Sequence, residues 1–292
     1  METKFSKNIL YMKMIKKRLG MGYFDVFLGR IFTSKKDFEV DIKGRKIKIR
    51  SGIGSLARLM DNGWNVLPLS EDMVQLENNY GIKISCRTDM GLDLVQLEEI
   101  FIDEIYKCHI VDKNVIDVGM NNGDSSIYFA KKGAKKVLGI EPDLRNYDIG
   151  LKNIRDSGVD NMVTAINRAV INEKSVEIKM YEAFPNSNSF PEFETSPKKD
   201  NAKICVVDGI TLGDIIDMFE GETIGLLKMD CEGCEYSNIE KLEERHFKKI
   251  ENIIMEYHQG PKNLPSILET MGFRVDLKKY GVFQGMLIAS RI

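Results

Sequence analysis

The chain has 292 residues, 43% hydrophobic and 29% charged, with a formal net charge of -2, which is a globular composition and excludes a disordered or collagen-like chain. No apolar run reaches the roughly 18–20 residues that a membrane-spanning helix needs, and the first residues lack the short apolar stretch and small-residue cleavage site of a signal peptide. Five thinly spread Cys do not make a disulfide framework, so a reducing cytoplasm is the expected compartment.

Charge is unevenly placed. Residues 1–50 carry 14 Lys and Arg against 5 Asp and Glu, and the remainder carries 28 against 39. Residues 5–19 are predicted to form a helix with Phe5, Ile9, Met12 and Leu19 on one face and Lys13, Lys16, Lys17 and Arg18 around the rest. Its apolar stripe is expected to pack on its own protein. The alternative is a membrane-surface contact through residues 1–36, which would make the protein cytoplasmic but membrane-associated. Residues 38–49 alternate apolar and polar about Gly44, a β-hairpin signature. Residues 52–95 are mixed and hold the only Trp, Trp64. A helix is expected over 97–106. Residues 1–95 thus read as an α+β accessory region, a helix plus a hairpin, and 96–292 as a separate domain.

From residue 114 strands and helices alternate. Strands are expected at 114–118, 137–140, 162–167, 175–181, 204–207, 224–229 and 253–256, with helices at 125–132, after Thr211 and from Leu264. Thr211 and Asp214 form a capping-box pair. Residues 186–201 form a polar loop long enough for a lid or binding loop, or a plain excursion. Residues 273–277 and 282–290 close the chain as a hairpin around Tyr280-Gly281. This order predicts an α/β fold: a Rossmann-like, doubly wound, mostly parallel sheet with an antiparallel C-terminal hairpin.

The strongest chemical signal is Asp117-Val118-Gly119-Met120-Asn121-Asn122-Gly123, between a predicted strand and a predicted helix. Gly119 permits the tight turn and Gly123 a close backbone approach. Glu141 ends the next strand and suits ribose hydroxyls. The two strand ends define one crevice. Asp117 would repel a diphosphate but suits a ligand bearing an ammonium and a sulfonium. Asn121 replaces the middle Gly of the dinucleotide pattern. Both points favour S-adenosyl-L-methionine over NAD.

These residues resemble the first motif of class I S-adenosylmethionine-dependent methyltransferases, and the Asn at its centre resembles the FkbM family. Leu227-Lys228-Met229-Asp230-Cys231-Glu232-Gly233-Cys234-Glu235-Tyr236 is similar to that family's strand-plus-acid motif, and Ile253-Ile254-Met255-Glu256-Tyr257-His258 to its strand ending in Glu. The resemblance covers roughly residues 95–290. Met120 and Asn122 depart from the small and aliphatic residues usual there, and Cys231 and Cys234 from the usual aliphatic or small ones.

The resemblance implies that Asp117, Gly119, Asn121 and Gly123 line the methionine end of the cofactor and that Glu141 takes the ribose. It places Asn167 and Ala169 near the adenine and Asp230 beside the reacting methyl. A hydroxyl acceptor must lose a proton, and Asp230, His258 and Glu232 are the catalytic candidates, with Glu235 and Glu256 nearby. The implied reaction is O-methylation of a hydroxyl on a sugar, glycan or secondary metabolite, so the partner is a small-molecule or glycan acceptor. No metal is expected: Cys231 and Cys234 form a lone C-x-x-C without a second pair and read as a coincidence, with a redox pair at a helix start as the alternative. His109 and His246 read as structural or exposed, and the scattered Met as core filler. Competing readings are a nucleic-acid methyltransferase holding phosphates with the basic N-terminal end, a NAD-dependent oxidoreductase, and a non-catalytic membrane-peripheral adaptor with a vestigial cofactor fold. The acidic body argues against nucleic acid.

Overall fold

A computed structural model describes residues 4–21, 38–89, 92–171, 178–181, 190–191 and 204–292. The chain divides into two compact units, one reaching Ile105 and including Asp156–Gly158, the other starting at Tyr106.

In the first unit, α1 (Lys4–Leu19) precedes a hairpin of β1 (Phe38–Ile42) and β2 (Arg45–Ile49). Phe38, Val40, Ile42, Ile47 and Ile49 are buried, as alternation requires. Lys43 (φ 53) and Gly44 (φ 79) make the turn, where Asp41 accepts the Gly44 N–H at 2.9 Å. Helix α1 packs on α2 (Ile53–Asp61), with the Tyr11 ring against Gly54, where a Cβ would meet Tyr11 Cγ at 2.9 Å. Its basic end is held within the unit: Lys17 and Arg18 pair with Asp61 at 2.6 and 2.9 Å. The helix therefore packs on its own protein, the preferred expectation. Residues 22–36 of the basic segment lie outside the described residues. The mixed stretch 52–95 resolves into α2, an antiparallel meander of β3 (Asn65–Pro68), β4 (Met73–Glu77) and β5 (Lys83–Arg87), and the start of α3 (Asp93–Phe101). The helix expected over 97–106 is α3, displaced toward the N-terminus.

The second unit holds a seven-stranded sheet. In chain order it comprises β6 (Asn114–Val118), α4 (Asp124–Lys131), β7 (Lys136–Ile140), α5 (Leu144–Asp156) and β8 (Val163–Ile166). Short strands follow: β9 (Ala169–Val170), β10 (Ile178–Tyr181), β11 (Phe190–Pro191), β12 (Ile204–Val207) and β13 (Gly209–Ile210). Then come α6 (Leu212–Asp217), β14 (Ile224–Met229), α7 (Cys234–Lys241), α8 (Glu244–Phe247), β15 (Asn252–Tyr257), α9 (Leu264–Thr270), β16 (Phe273–Lys279) and β17 (Gly285–Arg291). The order is β16-β17-β15-β14-β6-β7-β8. The strands from β15 to β8 run parallel, and β17 is antiparallel to both β15 and β16. Every residue of β6 and β14 is buried, as in central strands of a parallel sheet covered on both faces. The architecture is the expected Rossmann-like sheet with its antiparallel C-terminal hairpin. The polar loop expected over 186–201 lies outside the described residues except for Phe190 and Pro191.

Candidate functional site

The central strands end together. The loop after β6 turns at Gly119 (φ 79), Asn121 (φ 47) and Gly123 (φ 83), all in the left-handed region. The Gly119 and Met120 N–H groups donate to the Ile140 carbonyl at 2.9 and 3.1 Å, which fastens the loop to the end of β7. A Cβ at Gly119 would collide with the Asp230 carbonyl oxygen, so glycine is required there on two counts. Met120 is fully buried. The space for it comes from Gly139 and Gly150, where added Cβ atoms would meet its Sδ at 2.6 Å and its Cε at 3.1 Å.

Asp117 lies inside the protein. Its carboxylate accepts from the Ser125 and Ser126 hydroxyls at 2.6 Å each and pairs with Lys228 at 3.0 Å. Asp117 and Lys228 are direct cross-strand neighbours on β6 and β14. Lys228 also donates to the Gly119 carbonyl at 2.7 Å. This corrects the charge argument made for Asp117: Lys228 neutralises the carboxylate, which shows no accessible surface and shapes the loop from behind.

Glu141 follows β7. Its carboxylate accepts from the N–H groups of Asn121 and Asp143 at 3.0 and 2.9 Å, and burial pushes it up to about 7 against these hydrogen bonds. Asn167 donates to the Glu141 and Pro142 carbonyls at 2.8 and 2.9 Å, so its amide group braces the turn that carries Glu141. Ala169 is buried in β9, with its N–H on the Asp208 carbonyl. Asn122 is wholly buried, and its Nδ2 is a donor with no hydrogen-bond partner among the described residues.

Beyond β14 and around the end of β15 lies a cluster of acids about one imidazole. His258 Nε2 stands 3.3 Å from Glu232, 3.9 Å from Asp230 and 3.9 Å from Glu256, and Nδ1 is 3.8 Å from Glu235. Burial lowers the His258 pKa, opposed by the nearby Asp230 carboxylate. Glu235 has no exposed side-chain surface and is raised to about 7 by burial, although it accepts the N–H groups of Cys231 and Gly233 at 3.0 and 2.8 Å. The Tyr106 hydroxyl donates to Asp230 at 3.0 Å, and burial with that carboxylate raises the phenol well above its ordinary value. The structure therefore brings Asp230, Glu232 and His258 together.

The C-x-x-C is no coincidence. Cys231 and Cys234 form a disulfide with Cα atoms 5.5 Å apart, in the turn that starts α7. A two-residue spacing across a helix start brings the two Cβ atoms into bonding range. His246 is buried and lies 3.3 Å from Asp217. Sequence reasoning missed Lys228 and Tyr106. The signal for Lys228 was a lone cation inside the apolar run Leu226-Leu227-Lys228-Met229; Tyr106 gave none.

A parallel sheet that delivers a glycine-hinged loop, a buried acid and an acid–imidazole cluster to the same strand ends defines a Rossmann-like methyltransferase. Residues 117–277 match the Methyltransferase FkbM domain, and the chain belongs to that family. It is 26% identical to "Methyltransferase 1" of Beauveria bassiana (strain ARSEF 2860) over 256 residues, covering 75% of this chain and 98% of that one. It is 26% identical to "Methyltransferase sdnD" of Sordaria araneosa over 229 residues, 66% of this chain and 88% of that one. Among solved structures it resembles TrmK of M. capricolum in complex with S-adenosyl-homocysteine, with 15% identity, TM-score 0.40 and coverage of 65% and 66%. It also resembles a putative rRNA-methylase from Clostridium thermocellum, with 11% identity, TM-score 0.42 and coverage of 65% and 94%.

Proposed function

We propose that this methyltransferase uses S-adenosyl-L-methionine to methylate a hydroxyl oxygen of a sugar, glycan or secondary metabolite, with 96–292 as the catalytic domain and 1–95 as an accessory region. The reading is carried by one observation: the glycine-hinged loop, Glu141 and Asp230 meet at the ends of the adjacent strands β6, β7 and β14.

The residues fit the cofactor. Glu141, already oriented by two N–H groups, retains acceptor capacity for ribose hydroxyls. The buried Asn122 Nδ2, a donor without a hydrogen-bond partner among the described residues, suits the carboxylate of an amino acid. Gly119, Asn121 and Gly123 keep the loop backbone open to a ligand. Asn167 holds the Glu141 turn, and Ala169 follows on the adenine side. The cofactor supplies a methyl group on a sulfonium, an already activated leaving group. What remains for the protein is to position the acceptor and to accept its proton, which contributes roughly 10²–10⁴-fold. His258, together with Asp230 and Glu232, which lie within 3.9 Å of its Nε2, supplies those proton acceptors. Such a cluster serves a hydroxyl nucleophile, which must be deprotonated.

Isothermal titration with S-adenosylmethionine and S-adenosylhomocysteine tests the reading. Wild type should bind both at micromolar concentration, and Glu141→Ala should weaken binding roughly tenfold or more, the scale of hydrogen bonds to a charged group. Absence of binding by wild type would sink the proposal.

A further inference from the structure

We propose that Asp230, Glu256 and His258 form a binding site for one divalent first-row cation of the Mn²⁺ class. These three residues offer one ligand atom each, all within 4.8 Å of one another. Asp230 follows β14 and Glu256 lies at the end of β15, adjacent parallel strands in register at Met229 and Met255. The sheet itself therefore sets the spacing of the two carboxylates. His258, two residues beyond Glu256, brings its imidazole between them, with Nε2 at 3.9 Å from each.

The distances suit an ion. Bonds of about 2.1 Å leave donor atoms roughly 3–4 Å apart around an octahedral cation, so the trio needs to contract only slightly. The donors are chemically mixed. Two carboxylate oxygens and one imidazole nitrogen suit Mn²⁺ or Zn²⁺ better than Ca²⁺, which prefers oxygen alone. The surroundings are built to orient these donors. The Tyr106 hydroxyl holds the second oxygen of Asp230 at 3.0 Å, as outer-shell partners do for metal-binding carboxylates. His258 Nδ1 is a buried atom with no hydrogen-bond partner among the described residues, and it lies 3.8 Å from Glu235. That is the arrangement of a carboxylate behind a metal-binding histidine, needing less than an ångström of approach. Glu232, 3.3 Å from Nε2, would swing aside or become a fourth ligand.

The cation site stands independently of the methyl-transfer reading. If that reading holds, an ion bound there takes up Asp230 and His258 as ligands, so in the loaded protein Glu232 is the proton acceptor left beside an acceptor that presents a hydroxyl next to a second oxygen.

The test uses the full chain after chelator treatment and dialysis. Titration with Mn²⁺, followed by loss of the free-ion electron paramagnetic resonance signal, should show one ion bound per chain. Electron spin-echo modulation should show a coupled histidine nitrogen. Asp230→Asn, Glu256→Gln and His258→Ala should each weaken binding at least tenfold, and His258→Ala should erase the nitrogen coupling. Asp217→Asn, which alters the other carboxylate–imidazole pair of this unit, should change nothing. Glu256→Gln keeps side-chain size and serves if a second variant fails to fold. No stoichiometric Mn²⁺ binding, or binding unmoved by the three variants, overturns the proposal. S-adenosylhomocysteine binding is measured in parallel. Its presence without Mn²⁺ binding removes the cation site alone, and its absence with Mn²⁺ bound removes the methyltransferase cofactor reading alone.

Discussion

On the proposed cofactor reading, Glu141 should make ligand binding and stability respond to pH in opposite directions. Burial holds its carboxyl at about 7 instead of 4.5. The ionised form is the better acceptor for ribose hydroxyls, so cofactor affinity should rise as pH increases through 7. Glu141→Gln should flatten that profile, as titration of S-adenosylhomocysteine between pH 6 and 8 would reveal. For folding, a raised carboxyl pKa favours the folded state when protonated. The contribution is fully present below pH 4.5 and is lost as pH rises through 7, at most roughly 3 kcal/mol. His258, lowered by burial, acts in the opposite sense near its ordinary value of 6.5. The Glu141 effect is therefore read as the difference in Tm between wild type and Glu141→Gln across pH 5 to 8, which should change sign or shrink toward the acid end. At this scale the glycines and Glu141 were legible in the sequence because backbone geometry and strand ends constrain them locally. The Asp117–Lys228 pair was not, since its partners lie on strands distant along the chain and only the sheet register joins them.

Elements were legible where burial is apolar. The bounds 114–118, 204–207 and 224–229 stand as expected: 114–118 and 224–229 are buried throughout and mostly apolar, and 204–207 is marked by its β-branched residues although Val206 is exposed. Helix α5 escaped notice for the complementary reason: its buried residues are Asn146, Gly150, Asn153 and Ile154, a mostly polar face that apolar periodicity does not register. Asn153 donates to the Asn122 carbonyl at 2.9 Å, so this polar face serves the loop. The meander β3–β5 was hidden by short strands and by Pro68. The seam between β6 and β14 yields a quantitative expectation. Lys228→Met would leave Asp117 buried without its counter-charge and should cost about 3–5 kcal/mol in urea denaturation. Removing the exposed, solvent-screened Lys248–Glu244 pair should leave the urea midpoint almost unmoved.

For the whole molecule, the charge imbalance between residues 1–50 and the rest is partly absorbed locally. Lys17 and Arg18 of α1 already face Asp61, and Ile15 is buried. No helix among the described residues is long and apolar enough to cross a membrane. Because α1 packs on α2 within its own unit, the full chain should fail to float with phosphatidylcholine vesicles, and retention on anionic vesicles should disappear by about 0.5 M salt, where surface charges are screened. Flotation with neutral vesicles would show that an apolar face is released from the protein. The sequence order of strands and helices announced the sheet because parallel strands need crossovers. It could not announce the acid–imidazole cluster, whose members come from two strand ends and meet only once β14 and β15 lie side by side.

The fit of Met120 between Gly139 and Gly150 also constrains history. While methionine occupies position 120, a side chain at 139 must displace its sulfur and the Ser126 hydroxyl, which lies 2.8 Å from the added Cβ. A lineage that enlarges 139 does so at lower cost once 120 has shrunk, so the order of these substitutions affects stability. A double-mutant cycle makes this visible: Gly139→Ala alone should destabilise by about 1–3 kcal/mol, and Met120→Ala in the same chain should recover part of that loss. Additive effects of the two changes would mean that the positions are free to vary independently.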